Sequence, residues 1–220
     1  MPGRPFGKTA ITEAGLLLKL ERMHPNAQTE LDHSSPLELL VATILSARST
    51  DKQVNKVTKE LFRKYRTAAD YAGAKVEDFE RDIRSTGFFH AKTRLVQGAA
   101  KMLLEKFHGK VPRTMEELTQ LPGVARKTGN IVLTGAFGLV EGMAVDTHVG
   151  RVSRRLGLSK CGDPVKIEQD LLRFFSRDRW ARATCLLVFH GRYVCKAKKP
   201  GCSRCLLNRE CPSSCVPEAG

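Results

Sequence analysis

Apolar residues recur at three- and four-residue intervals along most of the chain, and a sustained two-residue alternation occurs nowhere, so the pattern predicts helices and no sheet. Ser35-Pro36-Leu37-Glu38 puts an N-cap, a proline at the first helical position and a glutamate three residues after the cap at the head of a strongly apolar helix running to about Ser46. Asp51 is expected to cap the next helix, where Val54, Val57, Leu61 and Phe62 form one stripe and lysines the opposite face. A short helix over Val76–Ser85 is expected to end at Gly87, and a longer one over His90–Phe107 at Gly109. The remaining predicted helical segments are Thr114–Gln120, Lys127–Phe137, Val149–Leu156, Pro164–Phe175 and roughly Arg179–Phe189. No internal repeat or low-complexity linker interrupts them, and the final VPEAG reads as a frayed tail. The predicted class is all-α.

Composition narrows the partners. The 220 residues are 41% hydrophobic, enough for a real core in one compact domain or two small ones. The net charge of +14 draws polyanions toward the chain, with nucleic acid first among them, but charge alone does not separate DNA from RNA or from an anionic membrane. No apolar run reaches the length of about 18 residues that spans a bilayer; the longest, Leu37–Leu45 and Ile131–Val140, are interrupted by polar residues and glycines. The amino-terminal MPGRPFGK is basic but lacks the apolar core of a secretory signal, so a reducing, cytoplasmic setting is expected, nucleoid-associated in a bacterium.

Seven cysteines in such a compartment do not suggest a disulfide framework, and five of them fall after Tyr193. Cys195, Cys202, Cys205 and Cys211 are spaced C-x6-C-x2-C-x5-C, flanked by Lys196, Lys198, Lys199, Arg204 and Arg209. Four thiolates on so short a loop can close round one compact centre, and the spacing suits zinc and an iron-sulfur cluster about equally. Cys215 is an alternative to Cys211 as fourth ligand. Cys161 and Cys185 read most simply as buried thiols.

A second concentration of chemistry lies at Leu121-Pro122-Gly123-Val124-Ala125, a tight turn between a short helix, opened by the capping pattern Thr114-Met115-Glu116-Glu117, and a helix starting at about Arg126. Such a turn leaves backbone N–H groups at a helix N-terminus, a place for a phosphate; an ordinary helix turn with solvated Arg126 and Lys127 explains the same residues. Lys127 has a further use. A lysine amine attacks a sugar carbon only when deprotonated, and a helix N-terminus together with partial burial disfavours the ammonium form. Nineteen residues on, Ala144-Val145-Asp146-Thr147-His148 supplies a carboxylate, Asp146, also placed to cap the next helix.

LPGVARKTGN, then VDTH, then HGRYVC-x6-C-x2-C-x5-C, in this order and spacing, resemble the helix-hairpin-helix DNA glycosylases of the endonuclease III type, from about Leu37 to Cys211. The resemblance implies two helical lobes with DNA across the cleft between them: a six-helix lobe over 29–139 carrying the hairpin, and a discontinuous lobe of 1–28 with 140–220 carrying a four-iron, four-sulfur (4Fe-4S) cluster on Cys195, Cys202, Cys205 and Cys211. It implies a bifunctional glycosylase and abasic-site lyase that flips an oxidised pyrimidine out of the helix. By that resemblance Lys127 would attack C1′, expel the base and form a Schiff base, and elimination of the 3′ phosphate would nick the strand, while Asp146 would stabilise the oxocarbenium charge and assist proton transfer. The implied partner is double-stranded DNA with a damaged base or an abasic site, bound by a monomer with no membrane involved. DNA contacts are expected from Arg48, Phe88, Leu121, Gly123, Val124, Ala125, Thr147 and His148.

Departures from the family pattern bear on lesion preference. Ala125 stands where the third hairpin glycine is common, Arg48 where a glutamine fills the gap left by the flipped nucleotide, and Gly150 where a bulkier residue is common. Phe88 falls at the position of an apolar wedge, and core packing is an alternative for it and for Phe89. Two other readings remain: a monofunctional or mismatch-type glycosylase of this fold, whose mismatched-adenine members lack a lysine at the Lys127 position and carry an acid at about Thr43 and an additional C-terminal domain, and a non-catalytic DNA-binding iron-sulfur protein.

Overall fold

The computed structural model describes residues 11–216; MPGRPFGK and everything after Val216 of the VPEAG tail lie outside them. Among the described residues there are eleven α-helices, three short 3-10 turns and no strand. The chain divides into two compact units, one of Thr29–Glu141 and one of the segments ending at Gln28 and beginning at Gly142.

The Thr29–Glu141 unit holds α2 (Pro36–Leu45), α3 (Asp51–Lys64), α4 (Ala68–Gly73), α5 (Val76–Ile83), α6 (Phe89–Phe107), α7 (Met115–Leu118) and α8 (Arg126–Phe137). Seven consecutive residues of α2, Leu39 to Leu45, are buried, and α3, α6 and α8 pack around this helix. All-round apolarity is what a helix enclosed by its neighbours requires. Ser35 caps α2 by accepting from the Glu38 N–H, whereas the Glu38 carboxylate reaches back to Ser34, at both its N–H and its hydroxyl, rather than to the cap residue. The cap of α3 is Thr50, whose hydroxyl accepts from the Gln53 N–H; the expected cap, Asp51, is the first helical residue, a position where a carboxylate suits the helix dipole. Gly87 and Gly109 sit at the expected helix ends with φ of 71° and 74°.

The other unit holds α1 (Glu13–Met23), α9 (Thr147–Arg155), α10 (Pro164–Phe174) and α11 (Trp180–Tyr193). Helix α11 packs against α9 and α1, and α10 against α9, around Leu16, Leu20, Val149, Val152, Leu171, Leu186 and Leu187. Beyond α11 the chain is held by turns and a 3-10 segment at Cys202–Arg204. Cys161 and Cys185 are only partly buried, against the edge of this core.

The motif reading did not predict α1 or α4. Thr12 caps α1 and Thr67 caps α4 in a reciprocal box with Asp70, so each start carries local chemistry despite a weak hydrophobic period.

Candidate active site and cysteine pocket

The hairpin of α7 and α8 is built by close approach. A Cβ on Gly129 would lie 2.5 Å from the Met115 sulfur, so the glycine lets α8 press onto α7. The turn between them rests on α6: Pro122 lies against Gly98, and Gly123, at φ +80°, leaves only 3.2 Å between a hypothetical Cβ and Leu95. Leu121 and Val124 are buried, so their side chains hold the turn in the core and only their backbone is left for a ligand. The Val124 N–H is taken by the Leu121 carbonyl. Ala125 precedes α8 in extended backbone, and no side chain caps the helix. The N–H groups of Gly123 and Ala125 make no hydrogen bond among the described residues, which leaves donors at the positive end of α8.

Lys127 is the second residue of α8 and is exposed; its amine makes no ion pair or hydrogen bond among the described residues. This corrects the expectation of partial burial. What the fold supplies at Lys127 is the helix N-terminus, while desolvation has to come from whatever covers it.

In the other unit, Asp146 caps α9: its Oδ1 accepts from the N–H groups of His148 and Val149, both at 2.8 Å. Its Oδ2 has no partner among the described residues, so the cap fixes the carboxylate and leaves one oxygen available. Thr147 is exposed at the first position of the helix. His148 is half-buried, its Nδ1 3.2 Å from the Arg151 guanidinium. Arg151 also donates to the carbonyls of Gly191 and Cys195, at 2.8 and 3.0 Å, tying α9 to the end of α11 and the start of the cysteine loop. Gly150 has room for a Cβ, with Ile167 the nearest neighbour at 3.5 Å.

Arg48 and Phe88 come together in the Thr29–Glu141 unit. The guanidinium stacks over the ring at 5.4 Å, and both residues have left-handed backbone. Phe88 is 60% exposed and lies outside the core, whereas Phe89 packs partly against it. The Phe88 tip is braced by Lys92, which sequence reasoning did not single out. Lys92 is only 3% exposed, its ammonium donates to the Thr86 carbonyl at 2.8 Å, and its N–H to the Phe88 carbonyl at 3.0 Å. Burial pulls the Lys92 amine below the usual lysine range.

Cys195, Cys202, Cys205 and Cys211 border one pocket, together with Arg155, His190 and Pro200. Cys215 is exposed and hydrogen-bonded to Cys202. Burial pushes the Cys205 thiol up to about 11, and Cys211, Cys195 and Cys202 add to it by mutual repulsion of their thiolates. Bringing four such groups to one place is costly unless a cation neutralises them, so the donor set fits a thiolate-bound metal centre. Arg155 holds the first strap of this loop, donating to Cys195 Sγ at 3.3 Å and to the carbonyls of Lys196 and Ala197 at 2.7 and 3.1 Å.

Residues 41–177 match the model of the HhH-GPD superfamily base excision DNA repair protein. Over 199 residues the chain is 49% identical to endonuclease III of Synechocystis sp., covering 90% of this chain and 91% of that protein. Over 194 residues it is 46% identical to endonuclease III of Bacillus subtilis, covering 88% of each. Among solved structures it resembles a trapped endonuclease III–DNA covalent intermediate, an estranged-adenine complex, with a TM-score of 0.88 and 44% identity over 93% of this chain and 97% of that one. With its hairpin inside the matched span and 90% of its length aligning with a relative at 49% identity, the chain belongs to the HhH-GPD superfamily of base excision DNA repair proteins.

Proposed function

We propose that the protein is a bifunctional DNA glycosylase and abasic-site lyase of base excision repair that acts on oxidised pyrimidines in duplex DNA. The observation that carries this reading is a free lysine amine at the uncapped N-terminus of α8, directly after a glycine hairpin whose Gly123 and Ala125 N–H groups are unspent. Gly123 and Ala125 offer these N–H groups to a DNA phosphate, with Leu121 and Val124 holding the turn rigid beneath them. Phosphate so bound sets the register of the backbone against Lys127.

Lys127 then attacks C1′ of the flipped nucleotide. The N-glycosidic bond breaks, the base leaves with its electron pair and takes up a proton, and the lysine nitrogen forms a Schiff base with the opened sugar. Loss of a C2′ proton expels the 3′ phosphate and nicks the strand; water then releases the enzyme. The Asp146 carboxylate, fixed through Oδ1, offers Oδ2 to the cationic sugar and to proton transfer. Bound DNA would cover the exposed amine and exclude water from the reacting centre. Thr147 and His148, at the start of α9, are assigned to the DNA backbone.

Cys195, Cys202, Cys205 and Cys211 would hold a 4Fe-4S cluster, which when bound supplies a rigid, covalently cross-linked core for a loop rich in lysine and arginine. The monofunctional alternative is disfavoured at Thr43, which is buried with its hydroxyl donating to Leu39 of the same helix and offers no acid. A duplex carrying one oxidised pyrimidine tests the reading: base release and strand scission are expected from the wild type and neither from Lys127→Gln. Base release without scission by the wild type would return the monofunctional reading.

A further inference from the structure

His190 lies in α11, only 2% exposed, and it meets the cysteine pocket twice. Its backbone carbonyl accepts from the Cys195 N–H at 2.7 Å, and its Nε2 lies 3.6 Å from Cys205 Sγ. The other ring nitrogen, Nδ1, lies 3.2 Å from Nε2 of His24, the residue that ends α1 and is itself buried. No carboxylate bonds either ring among the described residues, so nothing in this buried place compensates a second, charging proton on either imidazole.

These contacts fix where the two protons sit. A ligating cysteine is a thiolate and only accepts, so the contact at Cys205 requires a proton on His190 Nε2. That leaves His190 Nδ1 bare, and the contact at 3.2 Å then requires a proton on His24 Nε2. The result is a one-way chain of two hydrogen bonds, His24 to His190 to Cys205, in a buried part of the core. Such a chain polarises in one direction, each bond strengthening the next. An N–H donated to a ligand sulfur withdraws electron density and stabilises the reduced form of a cluster.

We propose that the His24–His190 pair is a potential-setting device for the cluster, holding its midpoint above the value that the four cysteines alone would give. The inference rests on the reading that these cysteines bind a 4Fe-4S cluster. His190 and His24 are positioning residues in this role, since both are buried and act through Cys205.

The test uses the purified holoprotein with and without DNA, reading the midpoint potential by film voltammetry and the Fe–S(Cys) stretching bands by resonance Raman. Iron content and colour are measured first on the wild type: about four irons per chain are required, and colourless protein with one zinc would overturn the cluster reading itself. Given a cluster, His190→Phe is expected to move the midpoint to more negative values and the Fe–S(Cys) bands to higher frequency. His190→Gln, which keeps an N–H donor, should lie between that variant and the wild type. His24→Phe, remote from the sulfur, should shift both readouts in the same sense by less, and it carries the test if His190 variants do not fold. An unchanged potential and unchanged Raman bands in cluster-loaded His190→Phe and His24→Phe would overturn the proposal while leaving the cluster in place.

Discussion

The guanidinium carbon of Arg48 lies 5.4 Å from the centroid of the Phe88 ring, and both residues hold left-handed backbone, at φ 53° and 51°. Neither is a glycine, so each conformation stores strain that the surrounding fold sustains, and the two strained tips support each other through a cation–π contact. If they enter the DNA helix as a unit, single substitutions will not add. Arg48→Gln and Phe88→Ala are each expected to weaken binding to lesion-containing duplex and to shift opposite-base preference. In the double variant the loss should fall short of the sum by about 0.5–1 kcal/mol, the worth of an exposed cation–π pair. A double-mutant cycle on binding constants at fixed salt measures this, and strict additivity would mean that the two act separately.

Gly123 combines positive φ with a neighbour at 3.2 Å, so Gly123→Ala meets both backbone strain and Leu95. The expected cost is about 1–2 kcal/mol from the left-handed backbone alone, which for a chain of this size lowers the melting temperature by roughly 2–8 °C. Affinity for DNA should fall as well, because the hairpin N–H groups are displaced. A thermal melt and a salt titration of binding read the two effects separately; full stability with unchanged affinity would mean that the turn tolerates a side chain and does not seat a phosphate.

Lys92 gives a pH signature. Its folded-state pKa lies below the unfolded value because burial disfavours the ammonium form, so between the two values the unfolded chain binds more protons. The Lys92 contribution to stability therefore rises with pH across that window, from the depressed folded value up to about 10.4. Subtracting the stability profile of Lys92→Met from that of the wild type should leave a difference that grows in favour of the wild type as pH is raised. A flat difference would place the amine in water. The same variant removes the brace on the Thr86 carbonyl and is expected to weaken lesion binding through Phe88.

Arg155 donates to Cys195 Sγ and to two carbonyls of the following strap, so it holds the cysteine loop from the side of α9. Arg155→Met is expected to release iron several-fold faster under chelator or peroxide, with the helical signal retained. Equal release rates in the variant and wild type would assign that contact to packing alone.

Helix ends were legible where local chemistry announced them: Ser35 before Pro36, Gly87, Gly109, and Asp146 ahead of α9, each a residue whose own side chain or backbone freedom makes the boundary. Helix α4 escaped because six residues do not establish a period, although Thr67 and Asp70 carry a capping box. The place of Lys127 at a helix N-terminus was legible from a motif, but its exposure was not, since burial depends on what packs nearby rather than on the residue. Neither the stacking of Arg48 on Phe88 nor the approach of His24 to His190 could be read from positions 40 and 166 residues apart, because both are products of tertiary packing.

The central claim is that Lys127 forms a covalent bond with the sugar. Borohydride reduction during turnover on an oligonucleotide with an abasic site or an oxidised pyrimidine, followed by proteolysis and mass spectrometry of the adduct, measures this directly. The account predicts one cross-linked peptide carrying the modification on Lys127, and no adduct with folded Lys127→Ala. An adduct of undiminished yield in Lys127→Ala, or none with active wild-type protein, would contradict it.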